Sequence, residues 1–205
     1  MAFMHHHKAR TSSIAHRLGW LFFLVVFCVA SLNPSTAEAA PDANASKQYF
    51  KLGNEFFRAR LYDKAIDAYR KCLAKAPDHR EAWYNLGAAY GQQRKYREEI
   101  KAYLEAVKRD PRYEKALYNL ALAYEDIGQL QNALDTYKRV VKVAPKAVDA
   151  WVNMGIVSVR VGDLQGAVTA YKRAIALKPN MPDAWFNLGI AYARLADKAK
   201  VPAKR

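Results

Sequence analysis

Pro77, Pro111, Pro145 and Pro179 lie 34 residues apart, with no insertion or deletion between them. The same step links Tyr49, Trp83, Leu117, Trp151 and Trp185. It also links Leu52, Leu86, Leu120, Met154 and Leu188, and their followers Gly53, Gly87, Ala121, Gly155 and Gly189. A tyrosine recurs at Tyr69, Tyr103, Tyr137 and Tyr171. Columns this independent do not align by chance. One supersecondary unit is being copied, and each copy buries its apolar face only against its neighbours.

Each unit carries two helical stripes. Trp83, Leu86, Gly87 and Tyr90 share one, and Ile100, Tyr103, Ala106 and Val107 share the other. The turn between them is expected near Gln92–Arg94, and Pro111 stops the second helix because proline disfavours helix in the residue before it. Small residues in the Gly53 and Ala65 columns let paired backbones approach closely. Composition agrees: 9 Gly and 8 Pro are few, which suits helices with turns better than many short strands, and 52% hydrophobic residues argue against disorder throughout.

The stretch Trp83-x-x-Leu86-Gly87-x-x-Tyr90, with Ala65 or Ala133, Tyr69 and Pro77, resembles the tetratricopeptide repeat. The resemblance implies an all-α fold, a right-handed α-solenoid of helix–turn–helix units. It covers units at 46–79, 80–113, 114–147 and 148–181, then a capping helix or partial fifth unit at 182–196 and a basic tail at 197–205. Stacked units need neighbours, and four with a cap satisfy the minimum of about three. Ala121 departs from the pattern's glycine, Ser158 from its aromatic, and Glu99 from the alanine seen at Ala65, Ala133 and Ala167. A carboxylate in that crowded column should snorkel or find a cation. A tolerated packing flaw is the plainer reading of Glu99, and a perturbed functional acid the sharper one.

The resemblance also implies that the first helix of each pair lines a concave face. Asn85, Asn119, Asn153 and Asn187 recur there, with Lys51 in the equivalent place of the first unit. Just before them come Phe50, Tyr84, Tyr118, Val152 and Phe186. An Asn amide offers a donor and an acceptor, so a ladder of them beside aromatic surfaces could hold an extended guest through its backbone. Interhelical packing is the competing role for the same asparagines. In chaperone-adaptor members a clamp of Lys, Asn, Asn, Lys and Arg grips a C-terminal carboxylate. Asn54, Asn85 and Lys115 match that pattern, whereas Phe50 and Asn119 stand where Lys and Arg should be. The clamp is therefore incomplete.

The formal charge is +14, from 33 Lys+Arg against 19 Asp+Glu. The basic pairs, such as Arg70-Lys71, Lys108-Arg109 and Lys138-Arg139, fall mostly on second helices, and Lys198, Lys200, Lys204 and Arg205 follow near the end. A solvated convex face accounts for most of this. An acidic partner or peripheral contact with anionic lipid is the functional alternative, and nucleic acid is disfavoured because the aromatics sit in core or groove columns. No Gly-rich phosphate loop, Ser/His/Asp set, Cys/His dyad or zinc-type spacing occurs, so no enzyme activity, cofactor or metal is expected.

The N-terminus reads as an address. Lys8, Arg10 and Arg17 precede the apolar run Leu18–Ala30, and Ala37-Glu38-Ala39 follows. That order describes a secretory signal over 1–39, cleaved before Ala40, with a linker at 40–45. Thirteen apolar residues fall short of the roughly 20 of a membrane span. Cleavage would remove Cys28 and leave Cys72 alone, and His79 as the remaining histidine. The expectation is an exported bacterial repeat protein of the periplasm, a scaffold or adaptor for a peptide or protein partner in envelope assembly. Self-association through an apolar C-terminal end is a further expectation. The alternative is a structural subunit anchored in the inner membrane by an uncleaved N-terminus, its basic tail on anionic lipid.

Overall fold

The computed structural model describes residues 43–200, and among these there are nine helices and no strands. They pair as α1 (Ala43–Arg58) with α2 (Tyr62–Lys75), α3 (Arg80–Gln92) with α4 (Tyr96–Arg109), α5 (Glu114–Asp126) with α6 (Leu130–Val143), and α7 (Val148–Val161) with α8 (Leu164–Leu177). The last helix, α9 (Pro182–Lys200), packs on α8. Contacts run from each helix to the next in sequence, as a stack of copied pairs requires.

The repeated columns are the contacts that close each pair. Tyr69, Tyr103, Tyr137 and Tyr171 are buried in the core. A Cβ added to Gly53, Gly87 or Gly155 would lie 2.5–2.7 Å from the Tyr69, Tyr103 or Tyr171 ring respectively. The glycine column therefore makes room for a tyrosine from the partner helix. Ala65, Ala133 and Ala167 are fully buried in the crossing. The Trp and Pro columns are joined as well. Indole N–H groups of Trp83, Trp151 and Trp185 donate to the carbonyls of Pro77, Pro145 and Pro179 at 2.8, 3.0 and 3.0 Å. Each indole thus ties the start of a unit to the turn before it. Leu117, in the same column, has no side-chain N–H and cannot make this bond.

The turn inside each unit is built on a left-handed residue. Arg60, Arg94, Gly128 and Gly162 have φ of 60°, 57°, 73° and 84°, and they too are 34 residues apart. Glycine adopts this conformation without a Cβ penalty and arginine does not. The expected turn at Gln92–Arg94 is close to this arrangement.

Two boundaries differ from expectation. α1 opens at Ala43, inside the stretch assigned to a linker, because Ala43-Asn44-Ala45 carries no helix breaker. α9 continues to Lys200, past the expected end at 196, since Asp197-Lys198-Ala199 is helix-compatible and an Asp197–Lys200 pair spans 3.3 Å. The 1–39 signal, the start of the linker and the end of the basic tail lie outside the described residues. No described helix is long and apolar enough to cross a membrane.

Candidate functional site

The first helices α1, α3 and α5 bound two successive clefts. The earlier one, about 400 Å³, lies between Asn54, Phe57 and Arg58 of α1 and Tyr84, Asn85 and Ala88 of α3, with Tyr69 of α2 beneath. The later one, about 540 Å³, lies between Ala88 and Gly91 of α3 and Asn119, Leu122 and Asp126 of α5. Glu99 and Tyr103 of α4 line it too.

The asparagine ladder is structural in the first instance. Asn119 and Asn153 donate through Nδ2 to the hydroxyls of Tyr84 and Tyr118, one unit earlier, each at 3.0 Å. Phe50 has no hydroxyl, and Asn85 instead donates to Asn54 Oδ1 at 2.8 Å. The same oxygen accepts the Tyr69 hydroxyl at 2.9 Å. One donor per amide is thus spent on stitching consecutive units. Asn85, Asn119 and Asn153 also act on the buried Tyr69, Tyr103 and Tyr137 hydroxyls beneath them, and their amide carbonyls accept none of these bonds and keep their lone pairs for other partners. Val152 lacks a hydroxyl, so half-buried Asn187 has no counterpart of that bond.

The aromatic column is also committed to the junctions. Phe50 lies 4.5 Å from the His79 ring and Tyr84 lies 5.4 Å from Tyr113, centroid to centroid, in equivalent places one unit apart. Tyr84 and Tyr118 further contact Tyr103 and Tyr137 at 5.8 and 6.0 Å. Phe186, on the last helix, is 70% exposed. Lys51 and Lys115 are exposed, Lys51 within 3.9 Å of Glu55, and Lys115 does not line the cleft that Asn54 and Asn85 share.

Burial sets the protonation of the groups beneath this face. It pushes Tyr69 up to about 12, with Asn85 and Arg58 pulling the other way. Tyr137 is raised by burial and then by Glu125, whose Oε2 accepts its hydroxyl at 2.8 Å. Glu125 Oε1 meets Arg160 Nη1 at 3.0 Å, so both carboxylate oxygens are partnered. Glu99 differs. It is 9% exposed, its Oε2 has no hydrogen-bond partner, and no ion pair reaches it among the described residues. It neither snorkels nor finds a cation, contrary to expectation, because Gly91 leaves space above it and no basic side chain comes within pairing distance. Burial, and secondarily Asp126, push its carboxyl up to about 7, against the pull of the Tyr103 hydroxyl.

Sequence reasoning missed the Glu125–Arg160 pair and the Gly91–Glu99 relation. Both are readable as aligned departures: Glu125 and Gly91 share one column, and Arg160 and Asp126 share the next. Cys72 is fully buried, and burial pushes its thiol up to about 11. No cluster of three or more His, Cys, Asp or Glu that could hold a metal occurs among the described residues.

Sequence models of the tetratricopeptide repeat match residues 50–114 and 114–147, and a TPR repeat model matches 159–195. The chain belongs to the tetratricopeptide-repeat family. A crystal structure of MamA protein is similar, with a TM-score of 0.69 at 28% identity over 73% of this chain and 81% of that one. YrrB, titled a TPR protein with an unusual peptide-binding site, gives 0.68 at 22% over 78% and 80%. The first TPR of Spaghetti (RPAP3), bound to the HSP90 peptide SRMEEVD, gives 0.58 at 24% over 60% and 98%. The last two are likenesses of fold. No curated protein matches the sequence.

Proposed function

We propose that this protein is a non-catalytic scaffold that holds a segment of a peptide or protein partner along the face of its first helices. The observation that carries this reading is the pair of adjoining clefts from α1 to α5, lined by amides with hydrogen-bonding capacity to spare. Such amides suit an extended backbone, whose N–H and C=O recur whatever the side chains. Fold analogy supports the reading, since YrrB is titled a TPR protein with an unusual peptide-binding site and the RPAP3 repeat is bound to a peptide. Replacing Asn85, Asn119 and Asn153 together by Ala should abolish capture of display-selected peptides while circular dichroism shows the helices retained. Undiminished capture by the folded variant would remove these amides from the site.

The proposed setting is the bacterial envelope, where the protein would be an exported assembly factor. Support comes from the basic, apolar and Ala-x-Ala order of residues 8–39. N-terminal sequencing of the mature protein tests it. A start at Ala40 fits export with cleavage, and retention of Leu18–Ala30 points to the tethered subunit instead.

A further inference from the structure

The junction between α5 and α7 displays what a satisfied carboxylate on this face looks like. Glu125 is held by the Arg160 guanidinium at 3.0 Å and the Tyr137 hydroxyl at 2.8 Å. Moving those three positions back by 34 residues gives Gly91, Asp126 and Tyr103. A carboxylate is nevertheless present, because Glu99 supplies it from the second helix. The point where a Gly91 Cβ would stand is 2.5 Å from Glu99 Oε1. The head group therefore fills the space in which a side chain at 91 would begin. What the earlier junction lacks, among the described residues, is a cation paired with that carboxylate, since Asp126 stands where Arg160 stands.

Three further observations bear on what completes the junction. Glu99 is nine-tenths buried with Oε2 unpartnered, and its head group, seated in the space a side chain at Gly91 would take, forms part of the lining of the 540 Å³ cleft. Besides Glu99, the charged groups facing the cleft are Asp126 from α5 and Arg94 from the α3–α4 turn, and no ion pair joins Arg94 to either carboxylate among the described residues. Gln92 of α3 and Asn119 of α5 are neutral, and Tyr96 and Leu122 add apolar wall. A buried carboxylate without a counter-charge is costly, and a cation that arrives with hydrogen-bond donors removes that cost.

We propose that the cleft between α3 and α5 is a subsite for a Lys or Arg side chain of the bound guest, its cation seated between Glu99 at the floor and Asp126 at the rim. The guest's aliphatic stem lies along Leu122 and Tyr96, and its cation takes the part that Arg160 plays one junction later. The subsite rests on the groove reading above and gives that groove a sequence preference, which a backbone-directed amide ladder alone does not.

A random-peptide display library panned against wild type, Glu99→Gln and Asp126→Arg tests this. Glutamine keeps the shape and removes the charge, and arginine at 126 supplies the missing cation from within the chain. Wild type is expected to enrich peptides with Lys or Arg at one register position, and both variants to lose that preference. For one selected peptide, exchanging its basic residue for norleucine should weaken binding to wild type by about tenfold or more, measured by fluorescence anisotropy, and leave binding to Glu99→Gln unchanged. Enrichment without a basic preference, or a preference that survives in both variants, overturns the subsite and leaves the groove standing. Enrichment of nothing by the folded wild type overturns both.

Discussion

The junctions on either side of α5 use the same columns and reach opposite electrostatic states. On the later side, Glu125 projects from the first helix, where Arg160 and Tyr137 partner both its oxygens. On the earlier side the carboxylate comes from the second helix, sits deeper, and has no cation. A repeat architecture makes such a contrast interpretable, because geometry is held nearly constant while three positions change: Gly91 to Glu125, Glu99 to Ala133 and Asp126 to Arg160. The lesson is that a copied scaffold fixes where charge can be placed, and single substitutions decide whether the chain or a guest neutralises it.

The largest expected effect lies at Glu99. Its folded pKa of about 7 exceeds the ordinary 4.5, so the protonated form is the one that folding favours. The associated stability is fully present below pH 4.5 and is lost as pH rises through 7. At about 1.4 kcal/mol per unit, wild type should lose on the order of 2–3 kcal/mol across that window relative to Glu99→Gln. Urea unfolding of both proteins at pH 4.5 and pH 8 measures it. Equal slopes against pH would mean that water or a nearby cation satisfies Glu99 in solution, and the contrast with Glu125 would vanish.

Breaking the closed junction should cost less. Arg160→Ala leaves Glu125 with the Tyr137 hydroxyl alone, but Arg160 is nearly half exposed, so the pair is partly screened by water. A loss of about 1 kcal/mol in thermal or urea unfolding is expected. Asp126→Arg attempts the converse, closing the open junction with a cation in the Arg160 column. It should stabilise by up to about 1 kcal/mol at pH 8, and much less in a Glu99→Gln background. The double-mutant cycle isolates that coupling. Additive effects would show that residue 126 does not reach Glu99.

Much of this fold was legible in the sequence because a fixed step repeats every packing decision several times. The Gly and Tyr columns, read separately, turn out to be one ring-into-notch contact. The Trp and Pro columns turn out to be one hydrogen bond. The face of the first helices was legible only as columns. Asparagine next to an aromatic is compatible with a free ladder or with a stitch, and distance alone reveals that Asn119 and Asn153 reach back to Tyr84 and Tyr118. Glu99 was visible as a departure but its surroundings were not, since the compensating change at Gly91 lies on another helix. Boundaries were missed for a simpler reason: alanine-rich and charged termini satisfy helix propensity without repeating anything.

The turns provide the smallest and cleanest comparison, because the same left-handed position is occupied by arginine in the first two units and by glycine in the next two. Gly128 and Gly162 meet nothing within 4 Å of an added Cβ, so substitution there changes backbone strain and not packing. Gly128→Ala should therefore destabilise by about 1 kcal/mol. Arg60→Gly should gain only about 0.5 kcal/mol, because relief of strain is offset by the greater freedom of glycine in the unfolded chain. Arg94→Gly should gain the same amount if its side chain is idle, and differ if the guanidinium at the cleft moderates Glu99. Measuring all three at pH 8 separates a backbone effect common to every unit from an electrostatic one confined to the open junction.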